Sequence, residues 1–313
     1  MIKYVEKGDL MVKGNKYNFI LVSLIVIIGF VVGTSNGFLL SPIQSENEEI
    51  PAEELPVEGN DEENPPASEF TPPASDASAY ERITFAFNIL KEGKGFQSII
   101  SQEVTAPATV QKVYLKQYRG EGYNLSEQWM EANISMGKFG FLSVYSDENV
   151  VKQKSITTSA DYSFKDKAYN YAKANETKTS SASEYINNFK NLNDFQLTLN
   201  ENTTSIVKYD KRTDPNFYII KLNFDITKID QEYYNSFVEN GTGETNFSSI
   251  VLTLKISKKT GFISRIERDE TFQTKFAGMS ISCSARGVQT FTSMNVSAKG
   301  IIQDIYNKSF ANF

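Results

Sequence analysis

The chain has 313 residues, 22% of them charged, with a formal net charge of -6, no histidine and a single cysteine. Without histidine there is no Ser-His-Asp triad, histidine general base or His-ligated zinc, and one cysteine forms neither an intrachain disulfide nor a thiolate metal cluster. Residues 46–76 hold eleven Asp or Glu and no Lys or Arg, whereas the stretch from Ala79 onward holds 28 basic and 25 acidic residues, an excess of three that reads as spread out and not as a nucleic-acid-binding face.

Residues 1–16 form a short tail containing Lys3, Lys7, Lys13 and Lys16. Residues 17–40 (YNFILVSLIVIIGFVVGTSNGFLL) carry no charge over 24 positions. At about 1.5 Å per residue, roughly 20 apolar residues cross a hydrocarbon layer about 30 Å thick, so this run predicts a transmembrane helix or signal anchor. No Lys or Arg follows it until Arg82, and the positive-inside rule then places the N-terminus in the cytoplasm and the rest outside, as a single-pass protein of the cell membrane. A cleaved secretory signal is the alternative, with Val31-Val32-Gly33 or Gly33-Thr34-Ser35 as its small-residue site. Either way the same domain is exported. With no cysteine directly following the apolar run to accept a lipid, a lipid-modified N-terminus is not expected.

Residues 41–78 hold seven of the nine prolines among acidic and small residues. Such a composition buries too little apolar surface to offset its ordering entropy, which predicts a disordered acidic, proline-rich linker. An acidic arm for a cationic partner is the other reading of it.

An extracytoplasmic strand-rich domain then fills 79–313. Ser78-Ala79-Tyr80-Glu81 has the form of a capping box, and Ala79, Ile83, Ala86, Phe87 and Leu90 share one helical face up to Gly93 and Gly95. The period then changes to two: Phe96–Val104, Val110–Tyr118, Phe139–Tyr145 and Val150–Ile156 read as antiparallel strands, with 124–135 leaning the same way. Ser181-Ala182-Ser183-Glu184 predicts a second helix. Strands are expected again at Phe195–Leu199, Ser205–Tyr209 and Phe217–Phe224, and a third helix at Asp230–Val238. Ile250–Ser257, Phe262–Phe276 and Met279–Phe291 close the chain, joined by hairpins at Lys259-Thr260-Gly261 and Gly278. The expected fold class is α+β: an N-terminal transmembrane helix, then one domain with an antiparallel β-sheet packed on a few helices at one face and partly wet on the other.

The segments FYIIKLNFDITKIDQEYYNSFV and FSSIVLTLKISKKTGFISRIERDETFQTKF, covering roughly Phe217 to Phe291, resemble membrane-anchored extracytoplasmic proteins of low-GC Gram-positive bacteria with a lipoprotein-carrier-like (LolA/LppX-like) domain. The resemblance implies a curved antiparallel sheet that wraps around helices and encloses an apolar cavity for lipid or a lipidated protein. It carries over no active residue, since carriers of this kind bind through cavity shape, and the anchor helix in place of a lipidated cysteine departs from a shuttle.

Trp129, with Tyr123 and Phe139, is the candidate ligand-binding group, beside the plainer reading of a packed core tryptophan. Arg265, Glu267, Arg268, Asp269 and Glu270 read as a solvated strand with cross-strand ion pairs rather than a paired-carboxylate site. Cys283 reads as a small buried apolar residue. No catalytic residue, metal site or cofactor is expected, and the partners expected are the membrane through the N-terminal helix and lipid or a lipidated protein, with no nucleic acid. The function expected is a membrane-anchored extracytoplasmic binding module. The alternatives are an interaction protein of the cell envelope with a filled core and, further off, a carboxylate-based hydrolase.

Overall fold

The computed structural model describes residues 70–107, 109–132, 141–147, 150–156, 162–163, 168–169, 176–181, 197–230, 245–276 and 279–311. The expected anchor at 17–40, the linker up to residue 69, Phe139, the helices expected after Ser181 and Asp230 and the Gly278 turn lie outside them. No helix among the described residues is long and apolar enough to cross a membrane.

The first helix, α1 (Ala79–Glu92), begins where the capping box predicts. The Glu81 N–H donates to Ser78 Oγ at 3.2 Å and the Ser78 N–H donates to Glu81 Oε2 at 2.6 Å, so two free donors of the helix start are satisfied reciprocally. Gly93 ends it by donating its N–H to Ile89 O. Thirteen strands follow: β1 (Gly95–Ala106), β2 (Thr109–Gly120), β3 (Tyr123–Ala132), β4 (Phe141–Ser146), β5 (Val150–Ile156), β6 (Tyr162–Ser163), β7 (Ala168–Tyr169), β8 (Glu176–Ser181), β9 (Thr204–Asp210), β10 (Phe217–Phe224), β11 (Thr245–Ser257), β12 (Ile263–Phe276) and β13 (Met279–Met294). The chain ends in α2 (Lys299–Ser309).

Eleven strands form one antiparallel sheet in the order β8-β5-β4-β3-β2-β1-β13-β12-β11-β10-β9, and β6 pairs with β7 separately. The sheet is thus two meanders, β1 to β8 and β9 to β13, joined where β1 pairs with β13. Because side chains alternate between faces, the register settles which residues lie together. One face carries Ile220, Leu222, Leu252, Leu254, Ile256 and Ile266, each 0% exposed, and α1 lays Ile83 and Ala86 on it.

The helices do not share one face. α2 packs Ile302 and Phe310 against Leu125, Tyr145, Tyr118 and Tyr123, which the β2–β3 and β3–β4 registers place on the side opposite Val113 and Leu115. The two helices therefore lie on opposite sides of the sheet; β1 and β2 are buried on the α1 side as well, while on the C-terminal half the second face stays wet, with Lys221, Asn223, Asp269 and Arg286 exposed. Two further expectations are corrected. Residues 197–199, the described part of the strand expected at Phe195–Leu199, are irregular and not strand, and Thr198 donates its N–H to an Asp230 carboxylate oxygen at 2.7 Å. Residues 70–78, grouped by composition with the linker, pack on the domain: buried Arg82 donates to Ala74 O and Ser75 O, and Phe70 meets Phe85 edge-on at 6.5 Å. One arginine offering several donors fixes a segment whose own side chains are too small to do so.

Candidate functional site

The face under α1 changes character at its centre. Across β10 and β11 it is hydrocarbon; across β12, β13, β1 and β2 the same buried face sets Arg268, Glu270, Gln289, Gln102, Ser98, Gln117 and Gln111, each at most 7% exposed, among apolar residues such as Ile266, Phe272, Val104 and Val113. The registers align them in rows: Arg268 opposite Gly287, Gly287 opposite Gln102 and Gln102 opposite Val113; then Glu270 opposite Ala285, Ala285 opposite Val104 and Val104 opposite Gln111. Gly287 and Ala285, the two smallest side chains of these rows, sit between the polar groups, so the polar band has a floor close to backbone level.

Within the band, Gln289 Nε2 donates to Ser98 Oγ at 3.0 Å and to Gln117 Oε1 at 3.4 Å, and Ser98 Oγ donates to Gln117 Oε1 at 3.2 Å. Arg268 Nε meets Glu270 Oε1 at 2.9 Å with both side chains at most 2% exposed. Burial of an amide or an ion pair is costly unless it is bonded, and a hydrocarbon of similar shape would serve a core at least as well. Arg268 and Glu270 carry opposite charges within the band, and its four glutamines offer donors and acceptors together. Arg268 and Glu270 thus depart from the solvated strand expected of 265–270. Glu267 and Asp269 keep to it, with Arg265 Nε 2.8 Å from Glu267 Oε1 and Arg286 Nε 3.6 Å from Asp269 Oδ1 across to β13.

Trp129 and Tyr123, two of the residues singled out in the sequence, lie on the opposite face of β3, at its two ends with Leu125 and Glu127 between them. Trp129 is 2% exposed and meets Tyr114 edge-on at 5.6 Å, with Lys116 Nζ 5.4 Å from its ring. Tyr123 instead adjoins α2, where Lys299 Nζ lies 5.2 Å from its ring. The structure brings them to one face but not to one site. Burial and the nearby Glu127 charge push the Tyr118 phenol up to about 12, and Lys152 Nζ donates to Tyr306 Oη at 2.8 Å and to Phe310 O at 3.1 Å, which pins α2. These contacts are those of a packed second core.

A groove of about 310 Å³ near the end of β9 and β10 is lined by Glu201, Asn202, Thr204, Asn223, Asp225 and Lys228. It is polar, and its lysine already donates to Asn202 O and meets Asp225 at 3.3 Å. Among the described residues no group of three or more potential metal ligands is found. Cys283 is buried, and burial pushes its thiol up to about 11.

No signal in the sequence identified the polar band in advance. Ser98, Gln102, Gln111, Gln117 and Gln289 stand at alternating positions of β1, β2 and β13, and that spacing was the available clue: polar residues on the apolar phase of a strand.

No family model matches the chain, and no curated protein matches it. Among solved structures, a DUF1329 family protein from Desulfovibrio piger is similar at 10% identity, covering 72% of this chain and 94% of that one with a TM-score of 0.26. A conserved protein of unknown function with a hot dog fold from Alicyclobacillus acidocaldarius is similar at 8% identity, covering 68% and 87% with a TM-score of 0.11. Superpositions this slight carry no argument about the function of this chain.

Proposed function

We propose that the chain is a membrane-anchored extracytoplasmic binding module whose ligand is an amphiphile with an apolar chain and a neutral, hydrogen-bonding headgroup. One observation carries this reading: the buried face on the α1 side of the sheet is hydrocarbon across β10 and β11, and across β12 to β2 it sets four glutamines and an Arg268–Glu270 ion pair among apolar residues. Hydrocarbon surface recognises an acyl chain without direction, and glutamine amides recognise hydroxyl or amide groups with direction. The anchor at 17–40 keeps the N-terminus cytoplasmic and holds the domain outside, bound to one membrane. The module has no catalytic role, cofactor or nucleic-acid partner in this reading.

A protease site placed in the 41–69 linker allows the domain to be released from washed membranes after folding in its native setting. Solvent extraction and mass spectrometry of the released domain should find one class of neutral-headed amphiphile in near-equal amount to protein. An extract free of such molecules overturns the proposal. It would favour the second reading, an interaction protein of the cell envelope with a filled core, which draws support from the polar lining of the β9–β10 groove and the full burial of the α1 face.

A further inference from the structure

Cations that are dispersed in the sequence meet at one corner of the sheet. The β9–β10 loop packs on the β11–β12 hairpin: the Lys258 N–H donates to Asn216 O at 2.9 Å, Lys258 Nζ donates to Asp214 O at 2.6 Å, and Lys255 Nζ lies 3.3 Å from Asp214 Oδ2. Residues 208–216 and 255–261 together hold Lys208, Lys211, Arg212, Lys255, Lys258 and Lys259 against Asp210 and Asp214, a net charge of +4. The entire chain from Ala79 onward, 28 basic against 25 acidic residues, has a net charge of only +3.

Both carboxylates are turned inward to local donors. Asp210 accepts from the N–H groups of Arg212 and Thr213 and meets Lys208 at 3.0 Å, and Asp214 accepts from the N–H groups of Asn216 and Phe217. Lys208, Lys211, Arg212 and Lys259 are exposed.

The same corner receives the polypeptide that leads back to the apolar run. A Cβ built on Gly261 of the hairpin would stand 3.4 Å from Pro72, and Tyr209 Oη donates to Ala77 O at 3.1 Å. From Ser41 to Glu69 there are 29 residues. Such a tether spans about 90 Å when fully extended and about 30 Å on average when flexible, so a surface at its far end is presented to the corner at an effective concentration in the millimolar range. At that concentration a weak attraction suffices for contact.

We propose that this corner is an electrostatic contact surface for the anionic phospholipid headgroups of the membrane in which the chain is anchored, with Lys211, Arg212 and Lys259 as its exposed cations. The proposal rests on the anchor reading of residues 17–40 and is independent of the ligand on the α1 face. With a screening length of about 8 Å at physiological salt, the attraction acts only near contact and orients the domain, so the tether root faces the bilayer and the opposite ends of the strands, where β1 turns into β2, face away from it.

The test uses the full chain reconstituted into vesicles of phosphatidylcholine alone or with about 30% phosphatidylglycerol, the second providing the anionic surface. Thr213→Cys carries an environment-sensitive fluorophore, and the lipids carry a headgroup-depth quencher. Quenching should be about threefold or more stronger on the anionic vesicles and should fall to the neutral level at about 0.5 M salt. It should also fall in Lys211→Gln/Arg212→Gln/Lys259→Gln, whose substitutions are all on exposed side chains and should leave Trp129 emission unchanged. Equal quenching on both vesicles, or no change in the triple variant, overturns the contact. So does quenching that appears only after the linker acids at 46–63 are changed to amides, which would assign the corner to the chain's own linker. Vesicle flotation scores the anchor separately: a chain that does not float overturns the anchor and the contact with it, and a chain that floats without charge dependence overturns the contact alone.

Discussion

If the polar band serves recognition more than folding, removing its polar groups in matched pairs should cost little stability. Ser98→Ala leaves Gln289 Nε2 only the 3.4 Å bond to Gln117 Oε1, so a buried amide is under-satisfied and the cost is about 1–2 kcal/mol. Gln289→Leu removes the 3.0 Å and 3.4 Å bonds but leaves Ser98 and Gln117 bonded to each other and buries a hydrocarbon of similar size, for about 1 kcal/mol. In the double variant neither a Ser98 hydroxyl nor a Gln289 amide is left under-satisfied; Gln117 Oε1 loses both of these donors, and Gln117 keeps further interactions of its own. Its cost should stay below about 1 kcal/mol, a coupling of about 1–2 kcal/mol between the two sites. Trp129, the only tryptophan and 2% exposed, reports unfolding directly. In urea, with a slope of about 2–3 kcal/mol per molar, Ser98→Ala should lower the midpoint by roughly 0.5 M and the double variant by less. The double variant should meanwhile lose its amphiphile. Additive costs near 3 kcal/mol with retained ligand would refute the reasoning and make the band a structural network.

Glu270→Ala removes the carboxylate 2.9 Å from the buried Arg268 guanidinium and should cost about 3–5 kcal/mol, whereas Arg268→Met/Glu270→Leu should lie much closer to the parent protein in thermal unfolding. Gly261 has φ +72°, and a Cβ there would stand 2.4 Å from a Phe85 ring carbon; Gly261→Val should cost about 1–3 kcal/mol and speed hydrogen exchange across residues 71–78. Because burial pushes the Cys283 thiol up to about 11, a thiol reagent at pH 8 should react with the native protein no faster than it unfolds, and labelling should accelerate in step with added urea. Asn216 N–H and then Lys255 hold Asp214 below the usual carboxylate range, and the Thr227 hydroxyl and then its N–H do the same for Asp225. Folded values below the unfolded ones near 4 mean stability that is present above about pH 4 and lost as pH falls through the folded values, so the urea midpoint should be level from pH 7 to about 5 and decline below that.

The parts of the fold legible in the sequence are those specified by local chemistry. Ser78 and Glu81 announce α1 because a capping box is complete within four residues. The strands Val150–Ile156 and Phe217–Phe224 fall where β-branched and aromatic runs place them. α2 was missed because its first position follows Ala298 with no side-chain cap, and its two anchors, Ile302 and Phe310, gain their burial only from Leu125 and Tyr145, far earlier in the chain. The assignment of helices to opposite faces is a property of register across five strands, which no single segment encodes. Arg268 and Glu270 looked like a solvated strand because Arg265, Glu267 and Asp269 are on the wet phase of the same run; which phase is buried depends on α1 and β11. Trp129 was legible as an aromatic anchor, but its neighbours Tyr114 and Lys116 come from β2, and they make it core.

In the proposed function, the α1 face holds a neutral-headed amphiphile outside the membrane. Native mass spectrometry of the released domain, stripped of lipid and then offered a monoacylglycerol, the fatty acid and the alkane of equal chain length, tests it most directly. One bound monoacylglycerol per chain, with the fatty acid weaker and the alkane absent, is the predicted spectrum. A spectrum of bare protein with all three, or equal uptake of the alkane, would contradict it.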